Sequence, residues 1–195
     1  MPNWCLNKLI VKGPDKDLAA FKQQAAGSDS EGKAMPLSFN TLVPLPTNQK
    51  ENWHAWQSDN WGTKWDLDAE TVVTEGRGQV TYEFNSAWAP PAAWLIKVAK
   101  LFMTLRFTLM YAEPGMQFAG QAIYEGGRQS LDEDWSADII NQLSAHGWSD
   151  VVDYFEEGEE EEFEDKPETE AGPSTEPSKP AITGYNFRFD KPKDS

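Results

Sequence analysis

From Asn3 to Val11 apolar and polar residues alternate with a period of two. Cys5, Asn7, Leu9 and Val11 fall on one side and Trp4, Leu6, Lys8 and Ile10 on the other, which predicts a strand. Gly13-Pro14 ends it. Asp15 or Asp17 then caps a helix running to about Ala26, in which Leu18, Phe21 and Ala25 repeat at i, i+3, i+7. Residues 28–47 read as loop, because glycine, serine and three prolines interrupt every period. The stretch Asn52–Asp66 is rich in tryptophan. Trp53 and Trp56, three apart, suit a short helix; Asn60 to Gly62 breaks it, and Thr63 to Leu67 suits the start of a strand.

Two β-branched and aromatic runs follow, Glu70–Glu75 and Gln79–Phe84, flanking Gly76-Arg77-Gly78 as a hairpin does. Pro91 can open a helix to about Thr104, with Trp94, Leu95, Val98, Leu101 and Phe102 on its buried face. Arg106–Glu113 and Gln117–Glu125 are strands turned by Pro114-Gly115. Trp135, Ile139 and Leu143, at four-residue spacing, predict a helix over Asp134–Leu143, with Asp132-Glu133-Asp134 at the positive end of its dipole. The order β-α-(insertion)-β-β-α-β-β and an accessory helix predicts an α+β fold: a ferredoxin-like antiparallel sheet with helices on one face. We expect residues 1–149 to form this domain with its accessory helix. Residues 150–195 read as an acidic, largely disordered tail. Within it Tyr185, Phe187 and Phe189 alternate with polar residues, so 181–190 is either a short strand returning to a sheet edge or a linear docking motif.

Charge sharpens that division. The 195 residues carry 32 acidic and 17 basic side chains, a net −15. Asp150–Glu170 alone holds 12 acids and one lysine, whereas residues 1–149 have an ordinary net −5. Direct nucleic-acid binding needs clustered lysine and arginine and is disfavoured. RNA binding on the sheet is disfavoured too, because the first strand lacks the stacking aromatics. No run of apolar residues is long enough to span a membrane, and Met1–Cys5 lacks the basic and apolar stretches of a signal peptide, so a cytoplasmic protein is expected. One cysteine rules out an internal disulfide, and with only two histidines a Cys/His zinc site is not expected; no metal or cofactor is expected. The core must then rest on apolar burial, and 18 of the 24 aromatics, with all nine tryptophans, lie in residues 1–149.

Several boxes together carry a resemblance. Met1-Pro2-Asn3-Trp4-Cys5 with Asn7, Phe39-Asn40 with Pro44-Leu45-Pro46, Asn60-Trp61-Gly62-Thr63-Lys64-Trp65-Asp66, and Phe84-Asn85-Ser86-Ala87-Trp88-Ala89-Pro90-Pro91 are similar to the YubB-type ferredoxin-like family of plasmid, prophage and phage proteins. Tyr111, Glu113, Gly115, Phe118 and Gly120 fit the same pattern, so the resemblance spans about residues 1–125. It implies a ferredoxin-like domain of mobile-element origin and no particular activity. The name describes fold shape; a single cysteine cannot hold an iron–sulfur cluster.

Two surfaces are candidates for binding. In the Asn60–Asp66 box, Trp61 and Trp65 can form an aromatic platform, with Lys64 and Asp66 as specific polar contacts. The alternative is that both tryptophans close the core and Lys64 pairs with Asp66 or Glu113. In the tail, Glu156, Glu157, Glu159, Glu160, Glu161, Glu162, Phe163, Glu164 and Asp165 form a dense carboxylate line with interleaved aromatics, able to imitate a phosphate backbone. We expect a non-enzymatic accessory protein that binds and inhibits a host protein with a basic surface, such as a nucleic-acid-handling defence enzyme. The competing expectation is a small-ligand or enzymatic site at Trp61, Lys64, Asp66 and Glu113.

Overall fold

A computed structural model describes residues 3–29, 31–67 and 70–156. Strand β1 (Trp4–Lys12) leads into α1 (Asp15–Ala25), a small ribbon of β2 (Gly27–Ser28) and β3 (Ala34–Met35), and one turn of helix, α2 (Phe39–Leu42). A 3-10 segment at Thr47–Asn52 runs into α3 (Trp53–Trp61). Then come β4 (Val72–Gly76), β5 (Gln79–Ala87), α4 (Ala92–Leu101), β6 (Arg106–Glu113), β7 (Phe118–Glu125) and β8 (Arg128–Asp134). Helices α5 (Ile139–Ala145) and α6 (Asp153–Glu156) end the described chain.

The main sheet has the order β4-β5-β1-β6-β7-β8, and every neighbouring pair is antiparallel. Strands β1, β4, β5 and β6, with α1 and α4 as crossovers, make the split βαβ arrangement of a ferredoxin-like fold. Strands β7 and β8 widen it beyond β6. Period-two alternation does what it predicts in β1: Cys5, Asn7, Leu9 and Val11 are all buried. Leu9 lies opposite Tyr82 on one side and Leu109 on the other, so the register lines apolar residues under the helices. Leu18, Phe21 and Ala25 of α1 and Trp94, Leu95, Val98 and Ala99 of α4 join them in a single core. Phe21 meets Tyr82, Phe102 and Phe107 edge-on at 5.3–6.0 Å.

Several details differ from the sequence reading. Helix α1 is capped at Pro14 with no side-chain bond from Asp15 or Asp17, and β3 and α2 form within residues 28–47, which read as loop. Asp132-Glu133-Asp134 ends strand β8 instead of beginning a helix, and α5 starts only at Ile139. Gly126 and Gly127, both at positive φ, turn the chain into β8, a polar strand on the sheet edge. Thr63–Leu67 forms no strand, and Leu101 is 62% exposed because α4 ends there. The last concerns the domain boundary. Residues 150–156 belong to the packed body: Val151, Val152 and Phe155 are buried, with α6 following a 3-10 turn at Ser149–Val151.

This C-terminal stretch explains how the sheet's second face is covered. Lys8 alternates with the helix-facing Leu9, and its ammonium lies 5.9 Å above the ring of the fully buried Trp148 while pairing with Glu83 at 3.0 Å. The chain divides into two units, Met1–Glu160 and Glu161–Ser195, and all described residues belong to the first. Glu157, Glu159–Asp165 and the expected strand at 181–190 lie outside the described residues. Among the described residues no helix is long and apolar enough to cross a membrane.

Because Phe155 is 2% exposed, truncating it removes a buried ring from the second face. Phe155→Ala should lower unfolding free energy by about 3 kcal/mol in a denaturant titration. A loss under about 1 kcal/mol would show that 150–156 contributes little to the body.

Candidate functional site

The segment after α3 is pinned at both ends. Trp61, 1% exposed, donates its indole N–H to the Val43 carbonyl at 2.9 Å. Gly62 follows at φ 87°, and a Cβ there would come 3.0 Å from the Pro90 carbonyl oxygen, so only glycine closes this turn against the start of α4. The buried Thr63 hydroxyl donates to the Ala87 carbonyl at 2.9 Å. At the far end the Asp66 carboxylate accepts from the Ser38 hydroxyl at 2.7 Å. It also accepts from the backbone N–H groups of Phe39, Asn40 and Leu67 at 2.6, 3.2 and 2.8 Å. These bonds cap α2 and hold Leu67 in the core. Between the two anchors Lys64 and Trp65 have nowhere to go but outward.

A second anchored loop meets them. Asn7, buried in β1, donates to the Cys5 carbonyl and the Ser86 hydroxyl, each at 2.8 Å, and Ser86 donates to the Ala89 carbonyl at 2.7 Å. The corner from β5 to α4 is thereby fixed. Within it Ala89 N–H bonds the Ala87 carbonyl at 2.9 Å across Trp88, whose φ is 69°, and Trp88 N–H bonds the Asn3 carbonyl at 2.9 Å. This is the positive-φ γ-turn, the rare and strained form. A bulky residue there costs about 1–3 kcal/mol. The Trp88 ring is nevertheless 46% exposed.

The two loops, with β1 and the start of α3, build a row of rings. Trp53 meets His54 at 5.6 Å, His54 meets Trp88 at 6.2 Å, Trp88 meets Trp65 at 6.4 Å, and Trp65 meets Trp4 at 6.3 Å. The Lys64 ammonium caps its middle, 4.7 Å from the Trp65 centroid and 4.8 Å from that of Trp88. Of the box residues named from sequence, Lys64 and Trp65 belong to this surface. Trp61 and Asp66 do not: one is core and the other holds loops together. Trp4, Trp53, His54 and Trp88 were missed as members. Their separation in sequence hides them, and nothing in Ala87-Trp88-Ala89 signals a positive φ.

Groups of catalytic type sit elsewhere. Glu113, 1% exposed, accepts from the backbone N–H groups of Gly115 and Met116 at 3.0 and 2.6 Å and so ties the β6–β7 turn. Tyr111 packs on Phe118 and lies across Gly120. Burial, and then the Glu113 carboxylate, push the Cys5 thiol far above the usual thiol range. Asn60 accepts a hydrogen bond from Lys97, whose pKa burial lowers. Glu156 is exposed at the end of α6. Among the described residues no group of three or more His, Cys, Asp and Glu is placed to hold a metal ion.

Residues 60–169 match the family described as "Ferredoxin-like domain in Api92-like protein", a span of more than half the chain. The chain belongs to that family. The Api92-like match starts at Asn60, so it includes Lys64, Trp65 and Trp88 but leaves Trp4, Trp53 and His54 before it. The crystal structure of protein api92 from Yersinia pseudotuberculosis resembles this one with a TM-score of 0.58, covering 69% of this chain and 98% of that one. At 10% identity that likeness concerns the Api92-like fold alone. No curated protein matches the chain.

Asp66→Ala should cost about 2 kcal/mol in equilibrium unfolding, since it strands the Phe39 N–H and the buried Ser38 hydroxyl, and Asp66→Asn should cost less. Equal stability of Asp66→Ala and wild type would mean the carboxylate is not the anchor. For Cys5, the native thiol should resist a disulfide reagent at pH 8 and react once the chain is unfolded. Rapid labelling of the folded protein would contradict the burial.

Proposed function

We propose that this protein is a non-enzymatic binding module whose described binding surface is the aromatic row around Trp88. The carrying observation is Trp88 itself: a half-exposed indole on a strained backbone, where core packing supplies no reason for so large a side chain. Exposed tryptophans on rigid supports are the usual anchors of protein–protein contacts. The reading of binding over catalysis draws support from the two carboxylates that the sequence offered as an acid or base. Asp66 and Glu113 are both engaged by backbone N–H groups, so neither is open as an acid or base.

The partner in this proposal is a host protein with a basic surface, of the nucleic-acid-handling defence type, which the module inhibits in the host cytoplasm. Two features favour that choice: the resemblance to phage and plasmid proteins, and the net −11 over Asp150–Glu170. A carboxylate line of that density would occupy a groove shaped for phosphates, while the tryptophan row supplies the apolar anchor.

Affinity capture from host lysate with mass spectrometry tests this. The comparison uses wild-type protein and a Trp65→Ala/Trp88→Ala variant, each at about 0.1 M and 0.5 M salt. A basic nucleic-acid-handling protein should be retained by wild type, released from the variant, and held at least about tenfold more weakly at the higher salt. Capture indifferent to both the tryptophans and salt, or turnover of a small molecule by the purified protein, would overturn the proposal.

A further inference from the structure

We propose that Trp65 and Trp88 form a receptor for an arginine side chain of a protein partner, and that Lys64 occupies it in the unbound protein. This names a contact within the binding surface just described and rests on that reading. The indole faces of Trp65 and Trp88 converge on one point, and that point already holds a cation: the Lys64 ammonium, 4.7 and 4.8 Å from the two centroids. Both distances lie inside the roughly 6 Å range over which an aromatic quadrupole attracts positive charge. Among the described residues the ion pairs are Lys8–Glu83, Lys22–Glu75 and Arg106–Glu125, so no described carboxylate competes for Lys64.

Lysine is a weak tenant of such a place. Its ammonium is compact and strongly hydrated, and its stem is flexible, so leaving the rings for water costs little. A guanidinium is planar, less hydrated and stacks flat on indole, so it gains more from the same two walls. Lys64 is partly exposed and free to swing into solvent as the arginine enters. The backbone favours this over a packing role, because the Trp88 ring is carried on a positive-φ γ-turn that glycine would make without strain. Charge points the same way, since residues 1–149, which carry the two rings, have a net −5 that favours a cationic partner over a phosphate. The extent of the row argues for a protein over a small cation. Trp53 and His54 flank Trp88, and Trp4 flanks Trp65, so five rings in steps of 5.6–6.4 Å offer an anchor and its rim together.

The test uses the full chain and three probes: a capped Gly-Arg-Gly peptide, its Gly-Lys-Gly counterpart, and a short oligothymidylate. The readout is the indole N–H resonances of Trp65 and Trp88 in a two-dimensional NMR titration. The arginine peptide should shift both resonances and bind more tightly than the lysine peptide. Lys64→Ala should tighten arginine binding about threefold or more by emptying the receptor. Trp88→Gly and Trp88→Ala should both abolish the response at Trp65, while Trp88→Gly melts at the higher temperature because glycine accepts the positive φ. Thus lost binding is separated from lost folding. The inference is overturned by an unchanged spectrum, by weaker arginine binding in Lys64→Ala, or by oligothymidylate shifting the two indoles where the arginine peptide does not. If a partner is still captured through Trp65 and Trp88 in any of these cases, the binding reading stands and the arginine receptor alone falls.

Discussion

The carboxylate of Asp66 is the interaction on which the outward surface depends. It gathers the Ser38 hydroxyl and three backbone N–H groups, joining the loop after α3 to the loop after β3. With Trp61 bonded to Val43 and Thr63 to Ala87 at the other end, the six residues from Trp61 to Asp66 cannot rotate about their own axis. Trp61 and Thr63 are then committed inward and Lys64 and Trp65 outward. Charge-assisted bonds to backbone donors are strong and short, and four on one side chain make a fixed point of an otherwise irregular segment.

Trp88 illustrates the other half of the arrangement. Its turn is held by the Asn7–Ser86–Ala89 chain of hydrogen bonds, by Asn3, and by the prolines at 90 and 91 that open α4. A strained residue persists only where its surroundings over-determine it. Here they do, and what they present is an indole beside Lys64 and Trp65. The loops take part in the fold as well as displaying the rings: Trp61 and Leu67 are core residues and Asp66 ties two segments together.

Legibility from sequence followed the range of the interactions involved. Strands β1, β5, β6 and β7 and helices α1 and α4 show their periods plainly because each buries one face in the common core. Strand β8 does not, since Arg128–Asp134 lies on the edge with polar residues that guard against further pairing and carry no apolar alternation. The Asn60–Asp66 box was recognisable as a unit, yet its sorting into core and surface was not. That sorting depends on Ser38, Val43 and Ala87, which lie between 18 and 28 residues away along the chain. The row of rings is further still from local pattern, drawing Trp4 from β1, Trp53 from α3 and Trp88 from the loop between β5 and α4.

The central claim is that one carboxylate fixes which side chains of the box face the solvent. Native-state amide hydrogen exchange of Phe39 and Leu67, whose N–H groups both bond Asp66, addresses it most directly. The account predicts protection approaching that of the β1 amides, lost at both positions together when the carboxylate is removed. Exchange of these two amides at open-loop rates in the wild-type protein would contradict it.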